Sequence, residues 1–210
     1  MKYTELVKAL WKEEVFDLPL IEVLSGQSRD ALKVQLHRWI RDGKMIALRR
    51  GLYTLSEEWS GEKNGARLAN RMVQPSYLTG LWALSWYGLI PEMVYEYTSA
   101  VTSRRQFYEN KYGRFGYRAL KPEVFRRWSD KECGGRKIRV ADPEKAVLDH
   151  LYWTAGDPLQ TMKTLRFQPD EAERFSWPTL LAYAEEWGSP RLIRFAKDAP
   201  DEFTDDWETL

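Results

Sequence analysis

The chain has 210 residues, 43% of them hydrophobic and 14% aromatic. That closes a sizeable core in one compact domain or in a small domain joined to a larger one, and it excludes a disordered chain. Its formal net charge is +1, and a single cysteine, Cys133, excludes an internal disulfide framework, as expected of a protein of the reducing cytoplasm. The N-terminal "MKYTELVKALWKEEV" carries acids where a secretory signal needs an apolar centre. The longest apolar stretch, "YLTGLWALSWYGLI", is interrupted by Gly and Ser and is too short for a bilayer, so no membrane association is expected. The small net charge conceals an asymmetry. Residues 1–56 hold ten Lys and Arg against seven acids, residues 57–169 eighteen against thirteen, and residues 170–210 four against eleven. A basic front and an acidic tail point to different partners, unless the tail is only a solvated helix surface.

Residues 4–15 place Leu6, Val7, Leu10 and Trp11 at the spacing of one helical face. "LPLIEVLSG" predicts a second short helix, with Pro19 in its first turn and Gly26 beyond its end. Ser28 is a natural N-cap for "RDALKVQLHRWIRDG", and Gly43 is placed to end that helix in a left-handed conformation. Strands over 44–48 and 52–55 follow, joined by Arg49-Arg50-Gly51. Helix, helix, turn, helix, hairpin is the order of a winged helix-turn-helix, expected to occupy residues 1–56.

At about 100° per residue, the third helix gathers Leu32, Leu36, Trp39 and Ile40 on one side. Asp30, Lys33, Val34, His37, Arg38 and Arg41 collect on the other. A merely solvated face has no use for Val34 in its middle, whereas a face set in a DNA major groove uses one apolar contact to a thymine methyl. The N-terminal half of such a helix reads base edges, which makes Arg29, Lys33 and Val34 the base-reading candidates. Arg38 and Arg41 are better placed for phosphates, with His37 a polar residue on the same face. Arg49 and Arg50, on the wing, would neutralise further phosphates and make binding fall steeply with salt. The expected partner is double-stranded DNA. The other reading is a protein-docking module whose arginines are solvated or paired to acids. With two histidines and one cysteine in the chain, no metal-ligand cluster is visible and no cofactor is expected.

A linker is expected over 57–66. Beyond it "GARLANRMVQ" reads as a helix, and "PSYLTGLWALSWYGLIPE" as a buried helix ended by Gly88 and Pro91. "VYEYTSAVT" and "GRFGYRAL" are β-rich runs separated by a basic loop, "SRRQFYENKY", and "RKIRVAD" is another strand. "ADPEKAVLDHLYW" opens a helix with Asp142 as N-cap and Pro143 in first position. The expected fold class is α+β: an N-terminal winged helix-turn-helix followed by a mixed α/β domain over 67–210 that ends in helices and carries the acidic tail.

"RRGLYTL", "PSYLTGLWALSWYGLIPE", "YTSAVTSRR", "GRFGYRAL" and "IRVADPEKAVLDHLY", in that order, resemble the AbiEi antitoxin family of type IV toxin–antitoxin systems over about residues 5 to 155. The match lies in the order and spacing of the stretches. "WPTLLAYAEEWGSPRLIRFAK" is similar to C-terminal repeats of some members. The resemblance implies a repressor and antitoxin in one chain. Its winged helix binds inverted repeats at its own promoter, and its C-terminal domain counters a nucleotidyltransferase-like toxin, with no stable complex assumed. By module position, the resemblance maps Arg29, Lys33, Arg38, Arg49 and Arg50 to DNA-reading positions.

Catalysis is not expected. Asp142 and Glu144 read as a cap and a first-turn acid, and about 100° separates the neighbours Asp149 and His150, so they do not converge. No Walker-type loop, metal-ligand spacing or nucleophile signature is present, and Cys133 in "KECGGRK" reads as a bystander in a turn. In the basic stretch 103–118, Phe115 and Tyr117 read as the inward side of a strand. Arg104 and Arg105 are candidates for a second anionic contact, to DNA or to a toxin-bound RNA. Two rivals remain: a winged-helix regulator whose second domain senses a ligand or dimerises, and a nucleic-acid-processing enzyme that uses the winged helix for targeting.

Overall fold

The computed structural model of the protein describes residues 2–169 and 175–203. Within them the chain is a mixed α+β fold with helices at both ends. Part of the acidic tail, 170–174 and 204–210, lies outside the described residues. No helix among the described residues is long and apolar enough to cross a membrane.

The chain begins with α1 (Tyr3–Leu10), β1 (Phe16–Asp17), α2 (Leu18–Ser25), α3 (Arg29–Arg41), β2 (Met45–Arg49) and β3 (Leu52–Leu55). The three strands pair antiparallel in the order β1-β3-β2. Asp17 caps α2 by accepting the Leu20 amide at 3.0 Å, and Gly26 ends it in the left-handed region. Ser28 holds the N-cap position of α3 without a side-chain cap bond. Leu6, Leu10, Ile21, Leu32, Leu36, Trp39, Met45 and Leu55 bury together in a small core. Trp11 does not join them: α1 stops at Leu10, and the Trp11 ring leaves that face to stand 58% exposed under the Lys12 ammonium.

The stretch expected as a linker holds a helical turn, α4 (Glu57–Ser60), whose Trp59 meets the Tyr3 ring edge-on at 5.6 Å. Next come α5 (Gly65–Met72), β4 (Ser76–Leu78), α6 (Gly80–Trp86), β5 (Glu96–Val101), β6 (Gln106–Asn110) and β7 (Gly113–Ala119). A single 3₁₀ turn (Pro122–Val124) leads to β8 (Trp128–Cys133) and β9 (Arg136–Ala141). The chain closes with α7 (Pro143–Trp153), α8 (Pro158–Thr164), α9 (Trp177–Trp187) and α10 (Pro190–Phe203). The strands form one mixed sheet in the order β6-β7-β5-β4-β9-β8. Three further expectations change here. "PSYLTG" opens as a sheet strand rather than a helix, half of the basic loop is β6, and Cys133 ends β8 rather than lying in a turn. Phe115 and Tyr117 are fully buried, as their alternation predicts.

One sheet face is covered by α5, where Tyr117 donates its hydroxyl to the Ala69 carbonyl at 2.8 Å. The other is covered by α6 and α7, and α9 packs on α7. That second layer is built around a charge. Asp149 is fully buried and accepts hydrogen bonds from Thr79 Oγ1 (2.8 Å), Tyr77 Oη (3.0 Å) and Lys145 Nζ (2.5 Å). Lys145, one turn earlier on α7, also stands 3.8 Å from the centre of the Trp187 ring of α9. Burial pushes the Asp149 carboxyl up and the Lys145 ammonium down, and the mutual pairing opposes both shifts. Glu144 is also buried; its carboxylate accepts the Ser176 amide at 2.8 Å and so fixes the start of α9. Its role is thus larger than that of a first-turn acid.

Asp149→Ala strands a buried ammonium and two hydroxyls at once. Its expected cost is about 3–5 kcal/mol of unfolding free energy, read from urea denaturation. A loss under about 1 kcal/mol would show that another acceptor answers these donors.

Candidate nucleic-acid interface

The face of α3 opposite the small core is open. Arg29, Asp30, Lys33, Val34, His37, Arg38 and Arg41 are all exposed, and Val34 retains 62% of its surface. A helix of this length runs about 20 Å, and (i, i+4) spacing sets Arg29, Lys33, His37 and Arg41 along one ridge. Leu32, Leu36 and Trp39 anchor the other side in the core, so the ridge is a rigid surface. Three of its cations lean on neighbouring acids: Arg29 on Glu22 (3.3 Å), Lys33 on Asp30 (3.0 Å) and Arg41 on Asp42 (3.4 Å). Exposed pairs of this kind contribute about 0–1 kcal/mol, so an incoming phosphate can replace the acid at little cost. The side chains of His37, Arg38 and Arg50 have no hydrogen bond or ion pair among the described residues.

The hairpin differs from a free wing. Its tip, Arg50-Gly51, holds Gly51 at φ +77°, a conformation that L side chains rarely adopt. On either side of the tip, Leu48 and Leu52 are buried, and both belong to the large core of the second sheet rather than to the small one. Arg49 is therefore not a free cation: its Nε donates to the Met72 carbonyl at the end of α5 (2.8 Å) and its Nη1 to the Arg50 carbonyl (3.3 Å). Asn110 of β6 adds a bond to the Leu48 carbonyl at 3.0 Å. Elsewhere Arg67 pairs with Glu14 at 2.8 Å and Lys111 with Glu57 at 3.2 Å. The hairpin is clasped to the α/β layer, and only Arg50 of the expected pair presents an open charge. Pattern reading from residue 45 to 55 found the cations and missed this docking. The available signal was a leucine on each side of the tip.

Arg104 and Arg105 lie in the β5–β6 connection, both exposed. Only Arg105 lines a hollow of about 270 Å³ shared with Arg118 and His150. Asp149 and His150 point apart, as their spacing predicts: one enters the buried ion pair and the other lines this hollow. Burial, reinforced by the Arg118 charge, lowers the His150 pKa from 6.5 to about 4, so the ring is neutral at pH 7. A group with a depressed folded pKa contributes stability above its unfolded value and loses it as pH falls. Between about pH 6.5 and 4, His150 should therefore remove up to roughly 3 kcal/mol of stability. The His150→Gln variant should lack that part of the decline in denaturation curves taken across this range.

The two hairpin arginines should separate cleanly. Arg49→Ala should lower stability by about 1.5–3 kcal/mol, the value of a charged donor on a carbonyl, and leave unchanged the salt slope of any binding to DNA. Arg50→Ala should leave stability alone and reduce that slope by roughly 0.9 for a lost phosphate contact. A slope change with Arg49→Ala and none with Arg50→Ala would reverse the assignment. In comparisons with known proteins, no family model matches the chain and no curated protein matches it.

Proposed function

We propose that this chain is a DNA-binding antitoxin and transcriptional repressor of the AbiEi type, in which residues 1–56 form a winged helix-turn-helix. The observation that carries the DNA-binding half is the α3 face: four Lys and Arg residues and His37 surround an exposed Val34. That combination suits a major groove, where Arg29, Lys33 and Val34 meet base edges while Arg38 and Arg41 meet phosphates. Arg50 adds a backbone contact from the hairpin. The antitoxin half rests on the ordered sequence resemblance. It implies autoregulation through inverted repeats at the chain's own promoter and the countering of a nucleotidyltransferase-like toxin, without a stable complex.

The second reading, a winged-helix regulator whose α/β layer senses a ligand, is favoured by the hollow between Arg105 and Arg118. The neighbouring gene separates the two. A toxic nucleotidyltransferase reading frame beside this one, silenced by co-expression of the full chain, supports the antitoxin. Absence of rescue removes it. Point variants suit this assay better than a cut at residue 57, because that cut takes Leu48 and Leu52 out of the large core.

For the DNA-binding half, fluorescence anisotropy with the chain's upstream region is the direct measurement. Lys33→Ala should lose about 1–3 kcal/mol of discrimination at particular base pairs. Arg38→Ala should weaken all sequences evenly. Equal, sequence-independent losses from both would place α3 on the backbone alone.

A further inference from the structure

The hollow that Arg105 lines has the construction of a ligand site. On the face covered by α6 and α7, β5 presents Glu96 and Thr98 beside Gly116 and Arg118 of β7, with Thr98 paired to Gly116. Arg105, Phe107, His150 and Trp153 complete a hollow of about 270 Å³, near the lower end of small-molecule pockets.

Four features distinguish it from a packing gap. First, its room depends on a glycine in mid-strand: a Cβ on Gly116 would stand 2.5 Å from Glu96 Oε1. Second, His150 is 92% buried, and its Nε2 has no hydrogen-bond partner among the described residues, an unfavourable state that a donor on a ligand would relieve. Third, Arg118 is aimed in advance. Its guanidinium lies 4.9 Å from the centre of the Trp153 ring and donates one Nη to the Trp153 carbonyl at 3.1 Å, while Trp153 Nε1 is fixed on the Ala119 carbonyl at 2.9 Å. A donor held this way loses little freedom on binding. Fourth, charges are left unanswered. Neither Arg105 nor the Glu96 carboxylate forms an ion pair or side-chain hydrogen bond among the described residues, and burial with the nearby Arg105 charge depresses the Arg118 pKa. Two cations share the hollow with one carboxylate, Glu96, and the excess positive charge favours an anion that enters. The free carboxylate beside them accepts a donor on the same molecule.

We propose that this hollow binds a small organic anion that also carries hydrogen-bond donors. Its anionic group sits between Arg105 and Arg118, its hydroxyl or amino donor sits on Glu96, and its body lies along Phe107. Both sugar phosphates and amino acids have this chemistry. The site is independent of the α3 face and of any toxin.

Calorimetric titration of the full chain tests it, with inorganic phosphate, ribose 5-phosphate, nucleoside monophosphates, glutamate and a short single-stranded oligonucleotide as probes. At least one organic anion is expected to bind with a Kd below about 1 mM and more tightly than inorganic phosphate. The phosphorylated and carboxylate arms distinguish the source of the anion. Arg105→Ala, at an exposed position whose loss cannot unfold the chain, is expected to weaken that binding at least about tenfold. Glu96→Gln should weaken the organic anion and leave phosphate unchanged, and Gly116→Ala should abolish both. Three results overturn the proposal: no organic anion bound below about 1 mM, binding indifferent to Arg105→Ala, or binding confined to the oligonucleotide.

Discussion

Leu48 and Leu52 face away from the small core beneath their own hairpin and into the core of the second sheet. Each buried leucine contributes roughly 1.5–3 kcal/mol, and the two sit on either side of a tight turn, so the tip cannot leave the α/β layer without exposing both. Everything the first sixty residues can do follows from that constraint. Arg49 has a carbonyl within reach and takes it. Asn110 has the Leu48 carbonyl within reach and takes that. The α3 face is the longest helical surface left open among the described residues of this region. Its angle to the second sheet is set by packing and not by a flexible linker.

The second sheet is held to its helices by a different device. A carboxylate without access to water must be answered by donors, and those of Asp149 come from both layers. Tyr77 and Thr79 supply the end of β4, and Lys145 supplies α7. Trp187 then covers the ammonium from α9. One buried charge thus fixes three elements in a single relative placement, which an apolar contact, being non-directional, would not do. Asp149 stands out in the sequence only as a titratable neighbour of His150, and Lys145 not at all. In the fold they are enclosed.

What the sequence revealed divides along these same lines. Periodicity and punctuation located α2, α3, α7 and the β2–β3 hairpin, because Gly26, Gly43 and Pro143 mark real chain reversals and a real helix start. The open face of α3 was legible residue by residue, since a helix wheel needs only its own segment. β8, "WSDKEC", was not: it is an edge strand of alternating exposure with few β-branched residues, and its pairing with β9 supplies what its composition lacks. β4 was hidden for the opposite reason. Three residues between a proline and a helix give no period to detect, and a sheet partner on each side decides their conformation. Arg49 and Arg50 are identical in composition terms. Only the long-range contact to Met72 tells them apart.

β6 belongs to both surfaces. Its N-terminal end adjoins Arg105 and carries Phe107, beside the hollow, and its C-terminal residue, Asn110, holds the hairpin. Five residues of strand span about 17 Å, and the β6–β7 register runs unbroken from Gln106↔Tyr117 to Asn110↔Gly113. A fully paired ladder transmits position but has no second arrangement to adopt, and coupling between sites requires an element with two states that both sites bias. This strand therefore acts as a brace. It fixes how far the hairpin stands from the hollow, and the geometry of each stays as the two cores set it.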